Sequence, residues 1–248
     1  MLVREHYTNR DDWLEARKPH LSASDVAATC EIGFKSIDNL YDEKMALKKA
    51  KDISGKPAVE RGIEGEPIIR AEFAWQYKHL FSVANHPFDI LYQKENPYIS
   101  ATLDSELTCK QDKITIVSPT GYTGTILLGE IGVHEIKSTE IRKKAELEQW
   151  EDSIPLYYLT QICGQLIATE WEYVILTAKI QRIIYHKNDD EVIERDPFFT
   201  TYTRNYAFFS KDPFMQEQIR VVKKKVLAFK NCIDTETRPV TTIKSFQG

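Results

Sequence analysis

The order of patterns along the chain predicts an α/β fold, a mixed central β-sheet flanked by helices. Three observations carry this expectation. The opening third reads helical, short segments rich in Val, Ile, Tyr and Thr follow from Phe81 onward, and helical stretches interrupt and close that run.

Thr8 with Asp11 three positions later has the spacing of a capping box and leads into a short helix through Trp13 and Arg17. Ser22-Ala-Ser24-Asp25 is expected to cap a second short helix, and Ser36 a third through Leu40, Tyr41 and Leu47. Ile68, Ile69, Glu72, Phe73 and Trp75 to Tyr77 predict a longer helix, with Pro67 in its first turn, where a missing N–H is harmless. Strand-like runs then occupy 81–92, 98–103, 113–117, 125–137 and 173–185. Helical segments near 139–150 and 156–169 separate the last two runs, and 213–232 reads as a closing helix. With no repeat and no Ser/Gly/Pro-rich linker, residues 1–248 are expected to form a single domain with an N-terminal helical part and a C-terminal helix.

Composition removes several classes. The 248 residues are 42% hydrophobic and 28% charged, with only 10 Gly and 10 Pro, unlike collagen, coiled coils or disordered tails. A chain this long buries roughly 70–75% of its unfolded surface and needs no staples. Cys30, Cys109, Cys163 and Cys232 lie far apart, which fits neither a zinc knuckle nor an iron–sulfur cluster; reduced thiols in a cytoplasmic protein are expected. No window approaches a membrane span or a secretory leader. The net charge of −4 means that any nucleic-acid surface must be local.

The sharpest chemical signal is Asp104 followed thirty-one positions later by Glu135-Ile136-Lys137. Residues two apart on a strand share a face, so Glu135 and Lys137 point together while Ile136 faces the other layer. An acid and a lysine side by side in the apolar run VHEIKS are costly unless compensated. A divalent cation compensates: magnesium takes one or two hard carboxylate oxygens and keeps several waters. Lys137 would then orient the attacking water or neutralise charge on a phosphoryl group. Glu66, expected at the start of the helix after Gly62, supplies a third carboxylate. Taken alone, D…E-x-K also describes a salt-bridged surface strand.

Further pieces in order resemble the lambda-exonuclease/YqaJ branch of the PD-(D/E)XK nucleases, used in viral recombination. Trp13-Leu14-x-x-Arg17 with Leu21-Ser22-Ala23-Ser24-Asp25 is similar to its opening W-x-x-x-R…[IL]-x-x-S-[DE]. Gly62-Ile-Glu-Gly-Glu66-Pro67 resembles its G-x-x-x-E-P, and Thr102-Leu103-Asp104 its S-x-D. Glu135-Ile136-Lys137 matches the E-x-K, and Pro155 with Tyr157-Tyr-Leu-Thr-Gln161 the P-x-Y-x-x-Q that opens the next helix. The resemblance implies a restriction-endonuclease-like PD-(D/E)XK core in which Asp104 and Glu135 are metal ligands and Glu66 an accessory carboxylate. Lys137 would be the catalytic lysine and Gln161 an active-site contact, while Arg17, Ser24 and Thr102 fall where the family holds the 5′ phosphate. A guanidinium suits phosphate, and Ser24 is expected to open a helix whose free N–H groups favour an anion. The chain departs from the family in the roughly thirty residues between Asp104 and Glu135, including SPTGYTGT, read as an enlarged hairpin at the sheet edge. The motifs say little about 186–248.

The implied function is a magnesium-dependent 5′-to-3′ exodeoxyribonuclease, with manganese able to substitute, that digests one strand of linear double-stranded DNA and leaves 3′ tails. The implied partners are double-stranded DNA ends and a single-strand annealing or recombinase protein, with a homotrimeric ring and a cytoplasmic setting in a bacterial or phage-infected cell. The alternatives are an endonuclease of restriction or repair type on the same fold, and a silent DNA- or partner-binding module. Trp13 reads as a core anchor, His134 as a packed neutral histidine, and Cys163 as an inert small hydrophobe. Tyr202, Tyr206, Phe208 and Phe209 read as core or a subunit contact, and Glu130 as sharing the strand but not the face of Glu135. Basic runs at 44–56 (Lys44, Lys48, Lys49, Lys51 and Lys56 against Asp52), at 219–230 (Arg220, Lys223, Lys224, Lys225 and Lys230) and at Arg142 to Lys144 suit either solvated faces or a channel gripping duplex phosphates.

Overall fold

The computed structural model describes all residues except 50–52, 54, 185–186, 189–190, 193–197 and 241–248. In chain order the elements are β1 (Leu2–His6), α1 (Arg10–Ala16), β2 (Leu21–Ser22), a 3₁₀ turn (Ala23–Asp25), α2 (Val26–Thr29), α3 (Ile37–Lys44) and α4 (Pro57–Gln76). Next come β3 (Phe81–Ala84), β4 (Asp89–Gln93), β5 (Asn96–Ala101), β6 (Ser105–Cys109), β7 (Lys113–Val117), β8 (Thr123–Leu127) and β9 (Ile131–Ile141). The chain continues through α5 (Lys144–Glu148), α6 (Leu156–Thr169), β10 (Tyr173–Ile184), β11 (Lys187–Asn188), β12 (Glu191–Val192), β13 (Phe198–Phe209) and α7 (Pro213–Asp234).

The central sheet has five strands in the order β13-β10-β9-β6-β3. β9 runs parallel to β10, and the other neighbours are antiparallel, so the sheet is mixed as expected. A second sheet, β1-β4-β5-β2, stands beside it. The main core lies between these sheets and α6 and α7, filled by Leu21, Val26, Ile162, Leu166, Val133, Leu176, Phe208 and Phe229. Phe73, Phe81, Ile126, Tyr173 and Phe209 fill a smaller one. No helix among the described residues is long and apolar enough to cross a membrane.

Several expectations shift, each for a local reason. The opening third is not purely helical, because β1 pairs along its length with β4. The cap of α1 is Asn9, which accepts from the Asp12 N–H at 2.9 Å, in place of Thr8. Ser36 does cap α3, accepting from the Asn39 N–H at 3.2 Å. α4 starts at Pro57, so Pro67 lies in its middle and Glu66 with it. The carbonyl that Pro67 leaves without an N–H belongs to exposed Ile63, where water can serve it. Residues 139–141 stay in β9, held by parallel pairing that extends to Arg182 opposite Ile141, and only 144–148 turn helical. Glu130 precedes β9 in a turn, accepting from the Leu127 N–H at 2.8 Å.

The long insertion is a separate β7–β8 ribbon, and its flanking arms β6 and β9 lie inside the sheet rather than at its edge. The ribbon folds across to β13: Tyr122 packs on Phe209 with centroids 5.9 Å apart, and a Cβ at Gly124 would fall 2.4 Å from that ring. Glycine is required there by the close approach.

Candidate active site

β6 and β9 pair antiparallel with Ser105 opposite His134, which brings Asp104, just before β6, alongside Glu135. Asp104 accepts the Ile136 N–H at 2.6 Å, tying it to the strand that carries Glu135 and Lys137. Alternation along β9 then places Glu135 and Lys137 on the side covered by α6, as the pattern predicts. Glu135 is only 2% exposed. Its Oε1 takes the Lys137 ammonium and the Gln161 amide, the latter at 2.7 Å, while its Oε2 takes the Gln165 amide. The Lys137 Nζ also sits 4.9 Å from the Tyr158 ring centroid, a cation–π contact.

Glu66 reaches this cluster from α4. Its Oε1 pairs with Arg70 one turn on, and it lies in the fields of Glu135 and Lys137. Burial, then the negative charges of Glu135 and Glu66, push Asp104 well above the usual carboxylate range, against the pull of Lys137. Glu66 is likewise pushed up, chiefly by burial. Burial opposes charge on Lys137, but the fields of Glu135 and Asp104 outweigh it and hold the ammonium above its ordinary range.

Asp104 and Glu135 offer hard carboxylate oxygens of the kind magnesium takes, with Glu66 in their field. No group of three His, Cys, Asp or Glu forms a ready-made cage among the described residues. Magnesium does not require one, since one or two carboxylates with waters suffice, and Asp104 with Glu135 supply two. Glu66 is engaged by Arg70 beside them.

On the opposite face of β9, His134 is fully buried between the Ser105 and Thr177 hydroxyls, each at 2.9 Å, with Phe73 stacked at 4.2 Å. Burial, with help from Arg70, pushes its pKa down to about 3, so it is neutral packing, as read from sequence. Cys163 is fully buried and its thiol is pushed up to about 12 by burial. Tyr206, Phe208 and Phe209 are core, and Tyr202 packs against it half-buried.

The three phosphate candidates are only partly assembled. The Arg17 guanidinium lies 4.3 Å over the Trp13 ring and within the field of Asp25. Trp13 itself is half-buried, with its ring against Phe88 at 5.8 Å. Ser24 sits inside the 3₁₀ turn rather than opening a helix; its hydroxyl meets that of Ser22 at 2.9 Å, and Ser22 in turn donates to Asp25 at 2.8 Å. Asp25 thus links Arg17 and Ser24, whereas the Thr102 hydroxyl donates to the Asp89 carbonyl at 3.0 Å and no described contact joins it to the other two. Many basic side chains are paired with acids: Lys48 with Asp42, Arg142 with Glu140, Lys144 with Glu148, Arg220 with Glu217 and Lys230 with Asp234. Lys51 and Asp52 lie outside the described residues.

Gln165, Arg70 and Tyr158 belong to the cluster and were not singled out from sequence. The available signal was helical spacing, since Gln165 follows Gln161 by four and Arg70 follows Glu66 by four.

An acid and a lysine on an inner strand of a mixed sheet, an acid at the entry to its neighbour and glutamines from the covering helix fit a protein of the PD-(D/E)XK fold. The chain belongs to the YqaJ-like viral recombinase domain family, whose model matches residues 12–172. Two solved structures agree in fold. One is an alkaline exonuclease (LHK-Exo) from Laribacter hongkongensis, at 19% identity and TM-score 0.51 over 92% of this chain and 94% of that one. The other is LHK-Exo in complex with dAMP, at 18% identity and TM-score 0.51 with the same coverage. No curated protein matches the chain. Family and fold together support a nuclease of the lambda-exonuclease type.

Proposed function

We propose that the protein is a magnesium-dependent 5′-to-3′ exodeoxyribonuclease that degrades one strand of linear duplex DNA and leaves 3′ single-stranded tails. The observation that carries this reading is the convergence of Asp104, Glu135 and Lys137, with Gln161 on the same Glu135 oxygen as the lysine. Magnesium held by Asp104 and Glu135, with Glu66 nearby, would supply charge neutralisation at the phosphate and a more acidic water.

The chain's own groups do the rest. The Lys137 ammonium offers hydrogen bonds to the water or to a phosphate oxygen as charge builds there. Gln161 and Gln165 hold the Glu135 carboxylate in one orientation, so its geometry is set before substrate arrives. In the hydrolysis, the water oxygen bonds to phosphorus, the bond from phosphorus to the 3′-oxygen breaks, and that oxygen takes a proton. A 5′-mononucleotide leaves, the chemical class of the dAMP bound by the structural relative. Arg17 and Ser24 are proposed to hold the terminal 5′ phosphate, since a guanidinium fork fits its oxygens; Thr102 joins them only by releasing the Asp89 carbonyl. The annealing partner and the trimeric ring are proposed on the family resemblance.

The test is digestion of 5′-labelled linear duplex beside a closed circle, with and without magnesium. Loss of the linear strand alone, only with magnesium and only with Lys137 intact, is the expected result. Cutting of the circle would make the protein an endonuclease, and intact DNA in every lane would make it a binding module.

A further inference from the structure

Phe34 is 91% exposed, and the chain on either side of it is held. The chain before it turns through left-handed residues at Glu31 (φ 58°) and Gly33 (φ 94°), and the Ile32 N–H closes on the Ala27 carbonyl at 2.9 Å. A Cβ at Gly33 would lie 3.5 Å from the Tyr157 Cβ, so this backbone rests directly on the first turn of α6. The next residue, Lys35, pairs with Glu43 at 2.7 Å and Asp25 at 3.1 Å, and Ser36 caps α3. A large apolar ring is therefore held in water between two anchored neighbours, so a partner that covers it gains from its burial.

Its surroundings indicate what that is. Phe34 meets Tyr157 edge-on at 4.9 Å, Tyr157 meets Tyr158 at 4.1 Å, and Tyr158 lies under the Lys137 ammonium. On its other side, Lys35 joins Asp25, which sits in the field of Arg17. The exposed ring thus connects through Tyr157 and Tyr158 to the catalytic cluster and, through its neighbour Lys35, to the proposed phosphate end.

We propose that Phe34 is a substrate-positioning residue on which a nucleobase of the strand being cut stacks; this rests on the nuclease reading above. Every base has a π-face, so such a platform tolerates any sequence, as an exonuclease without sequence preference requires. Tyr157 braces the ring from its edge, leaving a face for the base.

The test uses the full chain, wild type and Phe34→Leu, Phe34→Trp and Phe34→Ala, on linear 5′-phosphorylated duplexes. Each duplex carries either normal nucleotides or one abasic analogue within the first three positions of the cut strand. Aromatic stacking is worth about five- to a hundred-fold per base. Phe34→Leu and Phe34→Ala should lose about that much in kcat/KM on normal DNA, whereas Phe34→Trp keeps most of it. One abasic position should cost the wild type a similar factor and cost Phe34→Leu nothing more. Unchanged kinetics in Phe34→Leu, or losses that multiply on the abasic duplex, would overturn the proposal and leave the nuclease reading standing. A wild type that cuts no linear DNA overturns both. A changed sedimentation of Phe34→Leu, with both duplexes affected alike, would show that a second copy covers the ring and would also overturn it.

Discussion

Gln165→Met isolates what the buried amide does for Glu135. Gln165 is fully buried, and among the described residues it is the one donor to Glu135 Oε2, since Lys137 and Gln161 both serve Oε1. Methionine keeps the length and volume but donates nothing. Losing a hydrogen bond to a charged group costs about 1.5–3 kcal/mol. Part of that is offset, because the Gln165 Oε1 is itself buried with no partner among the described residues, a burden of roughly 1 kcal/mol that the substitution removes. The net loss should be about 0.5–2 kcal/mol, or roughly 1–8 °C in melting temperature for a chain of this size. Released from one side, Glu135 should bind metal about 10- to 100-fold more weakly, the usual penalty for removing an orienting partner. Cleavage rates over a magnesium series should show half-saturation moved by that factor, with a near-normal rate at saturation. An unchanged melting temperature together with an unchanged magnesium requirement would refute the orienting role.

Gly164→Ala should destabilise despite a better helix propensity. The added Cβ would lie 2.9 Å from the Ala23 Cα and 3.0 Å from Val26 Cγ2, and overpacking of about 1–3 kcal/mol exceeds the gain of about 1 kcal/mol. Displacing residues 23–26 should also weaken discrimination between 5′-phosphate and 5′-hydroxyl ends, and a variant matching the wild type in both respects would count against that packing. His134 is pushed down to about 3 in the folded chain, whereas in the unfolded chain it takes its proton near 6.5, so acidification favours unfolding across that window. Stability measured by denaturant should fall from pH 6.5 toward 3 by up to about 1.4 kcal/mol per unit from this group, and His134→Gln should reduce the slope by up to one proton; equal slopes would mean the histidine titrates normally. Arg17→Ala should slow cutting of 5′-phosphorylated ends by roughly ten- to a hundred-fold, the worth of a charge-assisted contact, and leave 5′-hydroxyl ends unaffected. A loss shared by both ends would remove Arg17 from the phosphate pocket.

What sequence determined is local in origin. Residues 156–169 form α6 as read, because one apolar period runs unbroken from Pro155 to Glu170, which adopts the left-handed closing conformation. β7 matches 113–117 because alternate residues face inward along KITIV. The shared face of Glu135 and Lys137 was legible for the same reason, since strand alternation orients the E-x-K pair without knowledge of its neighbours, whereas pairing of β6 with β9 is what brings Asp104 to them. The tertiary structure decided what depends on distant pairing. β13 was hidden because FFTTYTRNYAFF shows no clean alternation, and it forms a strand by pairing in register with all twelve residues of β10. β6 carries Glu106 in a buried strand, where Arg4, about a hundred positions earlier, meets it at 2.5 Å and His86 faces its other oxygen at 3.8 Å. The second hand on Glu135 from Gln165, the mid-helix place of Glu66 and the bracing of Phe34 by Tyr157 likewise arise from packing of remote segments. Period and capping are written within a few residues, but the partner that satisfies a buried charge is chosen only when the chain closes on itself.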